Sequence, residues 1–385
     1  MSKAEQAQPF YDRRWFRGTA AVLGIAGVVF GLIGPPKLWD VVADLFSDEL
    51  PPSNTEIVLD ASAEMGVPFG SVEGETKLTA AARAAESYVA PHVNESFALR
   101  RFGGDCDEAG DLLVGFGAGH GDDLGEAAGG LAATGESNLP NAVLAAIDDY
   151  NDGERFPAGR TFSKRIVVFT GTADECSGES AAELIRRRLE GTPIQLDFTF
   201  VGVGMPEEER DRLRLIAREL EGPAIFADTD EELAEVVEYL EIEPVIADGE
   251  TAREIHNTVI DELNKFIDAL NDGELRRAET ALDNSDKALE DTKDPYERIG
   301  ARQTRAEFAD LHDALGQARA IQGELIVLGG TLLDLRRGLN EDGNQAEYEN
   351  ALAEWNGVIR RQLRHRDLLQ EAHDELVDLL PTVEG

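Results

Sequence analysis

Lysine is scarce in this chain, and most of its basic residues are arginine. Lys and Arg together number 36 against 76 Asp and Glu, a formal net charge of -40 over 385 residues. That balance excludes a nucleic-acid surface, which needs a basic footprint. Cysteine is nearly absent: with only two, no Zn-type cysteine cluster can form. The six histidines are scattered. No G-x-S-x-G, H-E-x-x-H or Walker pattern occurs, and Gly202-x-Gly204 leads into no lysine-bearing phosphate loop. No catalytic motif is left, and the chain reads as a non-enzyme. The acid is spread along nearly the whole chain. Such a surface stays solvated where salt screens its self-repulsion. It reads as adaptation to molar salt, as in a halophilic archaeon; an acidic face for a cationic partner is the alternative.

Long apolar runs are equally few. The stretch 18–34, GTAAVLGIAGVVFGLIG, carries no charge and is near the lower limit for a bilayer span of about 20 residues. Lys3, Arg13, Arg14 and Arg17 precede it, and Trp15, Phe16 and Trp39 flank it as interfacial aromatics. The pattern predicts a cytoplasmic N-terminus over 1–17, an uncleaved transmembrane anchor over 18–34 and a linker over 35–53. The rest of the chain is then outside the cell, a single-pass protein of the cell membrane. A cleaved signal peptide or a buried core helix are the alternatives.

From 54 to 240, short apolar runs alternate with helical patterns. Strands are expected at Ile57-Val58-Leu59, Ser96 to Phe102, Asp111 to Phe116, Arg165 to Thr170, Ile194 to Val203 and Ala224 to Phe226. The second and third lie close enough for a hairpin. Helices are expected at Lys77 to Val89, Asn138 to Tyr150, Ser180 to Glu190, Glu207 to Leu220 and Asp230 to Leu240. Continuous apolar strands between helices imply an α/β fold with a mostly parallel sheet covered on both faces. Such sheets bind ligands at the carboxyl ends of their strands.

The strand ends carry the distinctive residues. Asp60-Ala61-Ser62-Ala63-Glu64 closes the first strand. Thr134-Gly135-Glu136-Ser137-Asn138-Leu139 opens a helix, and Phe169-Thr170-Gly171-Thr172-Ala173-Asp174 ends a later strand. With Phe200-Val201-Gly202-Val203-Gly204, this ordered set resembles the von Willebrand factor A-type (vWA) family over roughly half the chain. The resemblance implies a doubly wound sheet and a metal-ion-dependent adhesion site. There a divalent cation such as Mg²⁺ is held by a carboxylate, two serines and a threonine, helped by a second aspartate, and an acidic group of a protein partner completes the coordination. Carried over, Asp60, Ser62 and Ser137 fill three of these positions. Glu64 replaces the second serine; it either reaches the ion or takes the partner's place. Gly171 stands where an aspartate is expected, and Asp174 lies three residues beyond it. On the other reading the site is degenerate, and Asp60 merely caps the sheet edge or a helix N-terminus.

The family's sheet order also implies that Cys106 and Cys176 lie on neighbouring loops at the Asp60 edge. Outside the cell they form a disulfide; two partly buried free thiols are the alternative. Asn94-Glu95-Ser96 is an N-glycosylation sequon.

Residues 241–250 read as a proline- and acid-containing linker. Over 251–385 the apolar residues recur with a period of 3.6, predicting helices near Ile255 to Leu270, Leu275 to Leu289, Tyr296 to Leu339 and Gln345 to Leu380. Gly329-Gly330 predicts a bend or weak point in the third, and His365 and His373 are expected on the surface. An all-α helical bundle or coiled-coil hairpin follows, serving either as a spacer or as an oligomerisation and docking arm. The function these features predict is a membrane-anchored, extracytoplasmic, adhesion-type protein that engages a protein partner through a degenerate metal site. The alternative is a structural or assembly factor with a non-metal vWA-like domain and a helical docking arm.

Overall fold

The central element is β1 (Ser53–Asp60), every residue of which is buried. Its side chains alternate between two cores, as a pleated strand requires. Ile57 and Leu59 face one layer of helices, and Val58 faces the other. The structure is a computed structural model that describes residues 51, 53–156, 163–174, 176, 181–190, 196–338 and 345–383.

Five further strands complete the sheet: β2 (Ser96–Phe102), β3 (Asp111–Ala118), β4 (Ser163–Thr170), β5 (Asp197–Val203) and β6 (Ala224–Ala227). The order is β3-β2-β1-β4-β5-β6. Only β3 runs antiparallel to its neighbour. One face is covered by α1 (Lys77–Val89), α2 (Gly121–Gly129) and the start of α6 (Asp230–Asn271). The other is covered by α3 (Leu139–Asp149), α4 (Ala181–Leu189) and α5 (Glu207–Glu219). Because β1 lies between β2 and β4, its carboxyl end opens at the switch in strand order, where open α/β sheets place their ligands.

The helical part consists of the rest of α6, with α7 (Leu275–Asp291), α8 (Lys293–Ala301), α9 (Ala306–Gly338) and α10 (Gln345–Leu379). Residues 241–250, read in the sequence as a linker, lie inside α6, with Pro244 in the helix interior. A proline there removes the N–H that would serve the carbonyl four residues back. That carbonyl belongs to Leu240, and Arg165 of β4 donates to it through Nη1 at 3.3 Å. The same guanidinium pairs with Glu243. The sheet thus supplies the hydrogen bond that the proline cannot.

The expected helix over Tyr296 to Leu339 is two helices, α8 and α9. The break follows Arg302, which is 3% exposed. Its guanidinium donates to Glu95 at 3.0 Å, to Asp248 at 3.1 Å and to Ser53 Oγ at 2.6 Å. Arg298 also pairs with Asp248, at 2.7 Å. This buried network ties the amino ends of β1 and β2 to α6 and α8. Helix α9 runs without a break through Gly329, where a Cβ would come within 2.6 Å of Leu282, so the glycine lets α7 and α9 pack closely. His365 and His373 are buried, at 6% and 4% exposure, rather than on the surface.

No described helix is long and apolar enough to cross a membrane. The anchor expected over 18–34 lies outside the described residues. Membrane attachment, single-pass topology and an extracellular location therefore find no support and are withdrawn. The acidic balance is also only partly a solvated surface: Glu56, Glu95 and Asp248 are buried partners of arginines.

Candidate functional site

At the carboxyl end of β1 the chain turns sharply into a 3₁₀ helix, Ala63–Gly66. Asp60 is fully buried there. Its Oδ1 accepts from Ser62 N at 2.8 Å, and its Oδ2 accepts from Thr170 Oγ1 at 2.9 Å and Gly171 N at 3.2 Å. Burial raises the Asp60 pKa, while the hydrogen bonds from Ser62, Thr170 and Gly171 oppose the rise. The carboxylate is thereby used to hold β1 against the end of β4.

The other expected ligands surround this point. Ser62 and Ser137 are both fully buried. Ser62 Oγ makes no hydrogen bond. Ser137 lies on the loop before α3, which is pinned to the β1 end by Thr134 N to Ala61 O at 2.8 Å and Ala63 N to Gly135 O at 2.9 Å. Gly135 has φ 75°, and a Cβ on it would meet Gly104 at 2.4 Å, so this contact between loops requires glycine.

Glu64 is turned to Lys77, whose Nζ lies 2.6 Å from its Oε1. Lys77, in the first turn of α1, is 4% exposed. Glu64, Met65 and Lys77 together fill the space beside Gly171, where a Cβ would meet Met65 Sδ at 2.9 Å, Glu64 Cγ at 3.5 Å and Lys77 Cδ at 3.6 Å. The carboxylate expected at 171 has no room, and a built-in ammonium supplies positive charge at the same edge. Lys77 was not singled out in the sequence. A lysine opening a helix ordinarily reads as surface, and the general scarcity of lysine was the only signal. Asp174 Oδ1 accepts from Cys176 N at 3.1 Å and so belongs to the neighbouring loop.

That loop is covalently tied. Cys106, after β2, and Cys176, after β4, form a disulfide with Cα atoms 5.2 Å apart. Glu136 Oε2 sits 2.7 Å from Cys106 Sγ and 3.9 Å from Cys176 Sγ. These three residues bring donor atoms within 4.8 Å of one another, a cluster that could hold a metal ion. Metal ligation needs thiolates, and the disulfide removes them. The loops around Asp60 are thus bridged by a disulfide. Asn94 is exposed on the turn before β2.

No protein-family model matches the chain, and no curated protein matches it in sequence. Solved structures are similar to about half of it. The conserved hypothetical protein BatB from Bacteroides thetaiotaomicron is 16% identical with a TM-score of 0.37, over 48% of this chain and 96% of that one. Proximal thread matrix protein 1 from the mussel byssus is 9% identical with a TM-score of 0.36, over 49% and 47%. Manganese-loaded TRAP protein from Plasmodium vivax is 14% identical with a TM-score of 0.34, over 49% and 71%. The likeness is weak, at TM-scores of 0.34 to 0.37 over about half of the chain. Nothing in it supports a halophilic archaeal origin, and that reading is not carried further.

Proposed function

We propose that this protein is a non-enzymatic structural or assembly factor. Its vWA-like module works without a metal, and its helical bundle is the docking arm. The observation that carries the reading is the satisfaction of Asp60: three donors of the chain itself occupy its carboxylate. The adhesion-type reading fails at this point, because Glu64 is committed to Lys77, the carboxylate at 171 is missing, and a disulfide braces the loops. The bundle offers contact surface instead, with Leu368 and Val377 of α10 exposed at 54% and 44%.

The test is melting of the full chain in salt-matched buffers with Mg²⁺, Mn²⁺, Ca²⁺ or chelator, paired with partner co-purification. The expected outcome is an unchanged Tm in all buffers, capture that survives chelator, and loss of capture in Leu368→Asp/Val377→Asp. A second reading rests on Ser62 Oγ, a buried hydroxyl without a partner. There a hard divalent cation is held by Asp60, Ser62 and Ser137, with Glu64 and Asp174 as further ligands. A rise in Tm with Mg²⁺ or Mn²⁺ that Ser62→Ala abolishes would favour it and overturn the first.

A further inference from the structure

The helical bundle contains a cavity of ≈ 640 Å³ between α6, α9 and α10. Its lining mixes apolar side chains, among them Ile260, Ile359 and Leu369, with polar and charged ones, among them His256, Gln362 and Asp261. His256 is 4% exposed and Gln362 is 7% exposed. Each carries a buried atom without a hydrogen-bond partner: Nε2 of the imidazole and Oε1 of the amide. Buried polar atoms are nearly always paired, so two unpaired ones in one cavity wall point to an occupant.

The hydrogen bonds behind His256 determine which kind. Gln322, fully buried on α9, donates its Nε2 to the His256 carbonyl at 3.1 Å. That contact fixes the amide orientation, because only the NH₂ end can serve a carbonyl. Gln322 Oε1 therefore faces His256 Nδ1, at 2.6 Å. An amide oxygen only accepts, so Nδ1 carries the proton and Nε2 is left as a bare lone pair. Burial, with the positive charge of Arg319 nearby, pushes the His256 pKa down to about 4 and keeps the ring neutral. The wall thus presents an imidazole nitrogen that accepts and cannot donate.

We propose that this cavity binds a small uncharged molecule with an apolar body and a hydroxyl donor, the hydroxyl going to His256 Nε2. The volume lies within the range of small-molecule sites, and the lining sets apolar side chains beside polar groups that would orient a ligand. The lining carries two arginines, Arg253 and Arg366, against one carboxylate, Asp261, a balance that disfavours a bound metal ion. Both unpaired atoms are buried, so a ligand reaches them only through a rotamer change at the lining. The site is separate from the sheet edge and does not depend on how Asp60 is used.

Phenol and anisole separate this proposal from its rivals, since they share a ring and only phenol has a donor. The full chain is labelled with ¹⁵N-histidine and titrated with each. Phenol is expected to move the Nε2 resonance of His256, and to bind about fivefold more tightly than anisole, the factor one neutral hydrogen bond contributes. Ile359→Trp, which fills the cavity from its partly exposed wall and leaves His256 intact, is expected to abolish both effects. Equal affinity for the two ligands would remove the donor requirement. An Nε2 resonance unmoved by phenol would mean that the cavity holds water alone, and either result overturns the proposal.

Discussion

Lys77 and Glu64 are unequally buried, and their removal should be unequally tolerated. Glu64→Ala leaves an ammonium with 4% side-chain exposure and no partner, whereas Lys77→Met leaves a carboxylate that is 36% exposed. Urea denaturation should show a loss of about 2–3 kcal/mol for the first and under about 1 kcal/mol for the second. Equal losses would mean that Lys77 is not desolvated. His256 gives a pH dependence at the same scale. Its folded pKa of about 4 lies below the ordinary 6.5, so the unfolded chain binds the extra proton between those values. Stability should therefore rise with pH across this window and fall on acidification, by up to about 3 kcal/mol. Denaturation of the wild type and of His256→Gln at pH 4.5 and 7 checks the sign; the variant should lack this component.

Among the elements, the disulfide carries the most specific prediction. It joins residues 70 apart, and closing a loop of that length constrains the unfolded chain by about 4 kcal/mol in the entropy model. Cys106→Ser/Cys176→Ser should lose stability of that order in equilibrium denaturation, with Asp60 and its three donors still in place by amide hydrogen exchange. The element scale also separates what the sequence reveals from what it hides. The parallel strands are legible because each carries a short apolar run, and the hairpin of β2 and β3 because little chain separates them. Helix α2 was not legible: GDDLGEAAG carries too much glycine and too few apolar residues to display a period. Pro244 with its acidic neighbours looked like a linker, since only the fold supplies Arg165 to cover the carbonyl of Leu240. The break after Arg302 was hidden for the same reason, because its partners lie far away in sequence. At the candidate site, Asp60, Ser62 and Ser137 could be read from their motifs. The placement of Lys77 could not, because whether a lysine is buried depends on what packs over it.

For the molecule as a whole, the described residues form one compact unit. Heating or urea should give a single transition reported alike by probes in the sheet and in the bundle. Arg302 is the group to remove. Arg302→Met leaves Glu95, 1% exposed, without its cation. A loss of about 3–5 kcal/mol is expected, with sheet and bundle probes now diverging. Coincident transitions in the variant would show that the network is not what couples the two parts.

The continuity of α6 has a mechanical consequence. Its 42 residues span about 63 Å at the rise of an α-helix, and it is clamped to the sheet at Leu240 and Glu243. Once Asp248 is released from Arg302, the helix beyond that clamp would be a lever whose fulcrum is the guanidinium of Arg165. A tilt of roughly 10° there sweeps the far end through about 8 Å, given the 1.5 Å rise per residue. A small displacement of β4 is thus magnified at the tip of the bundle.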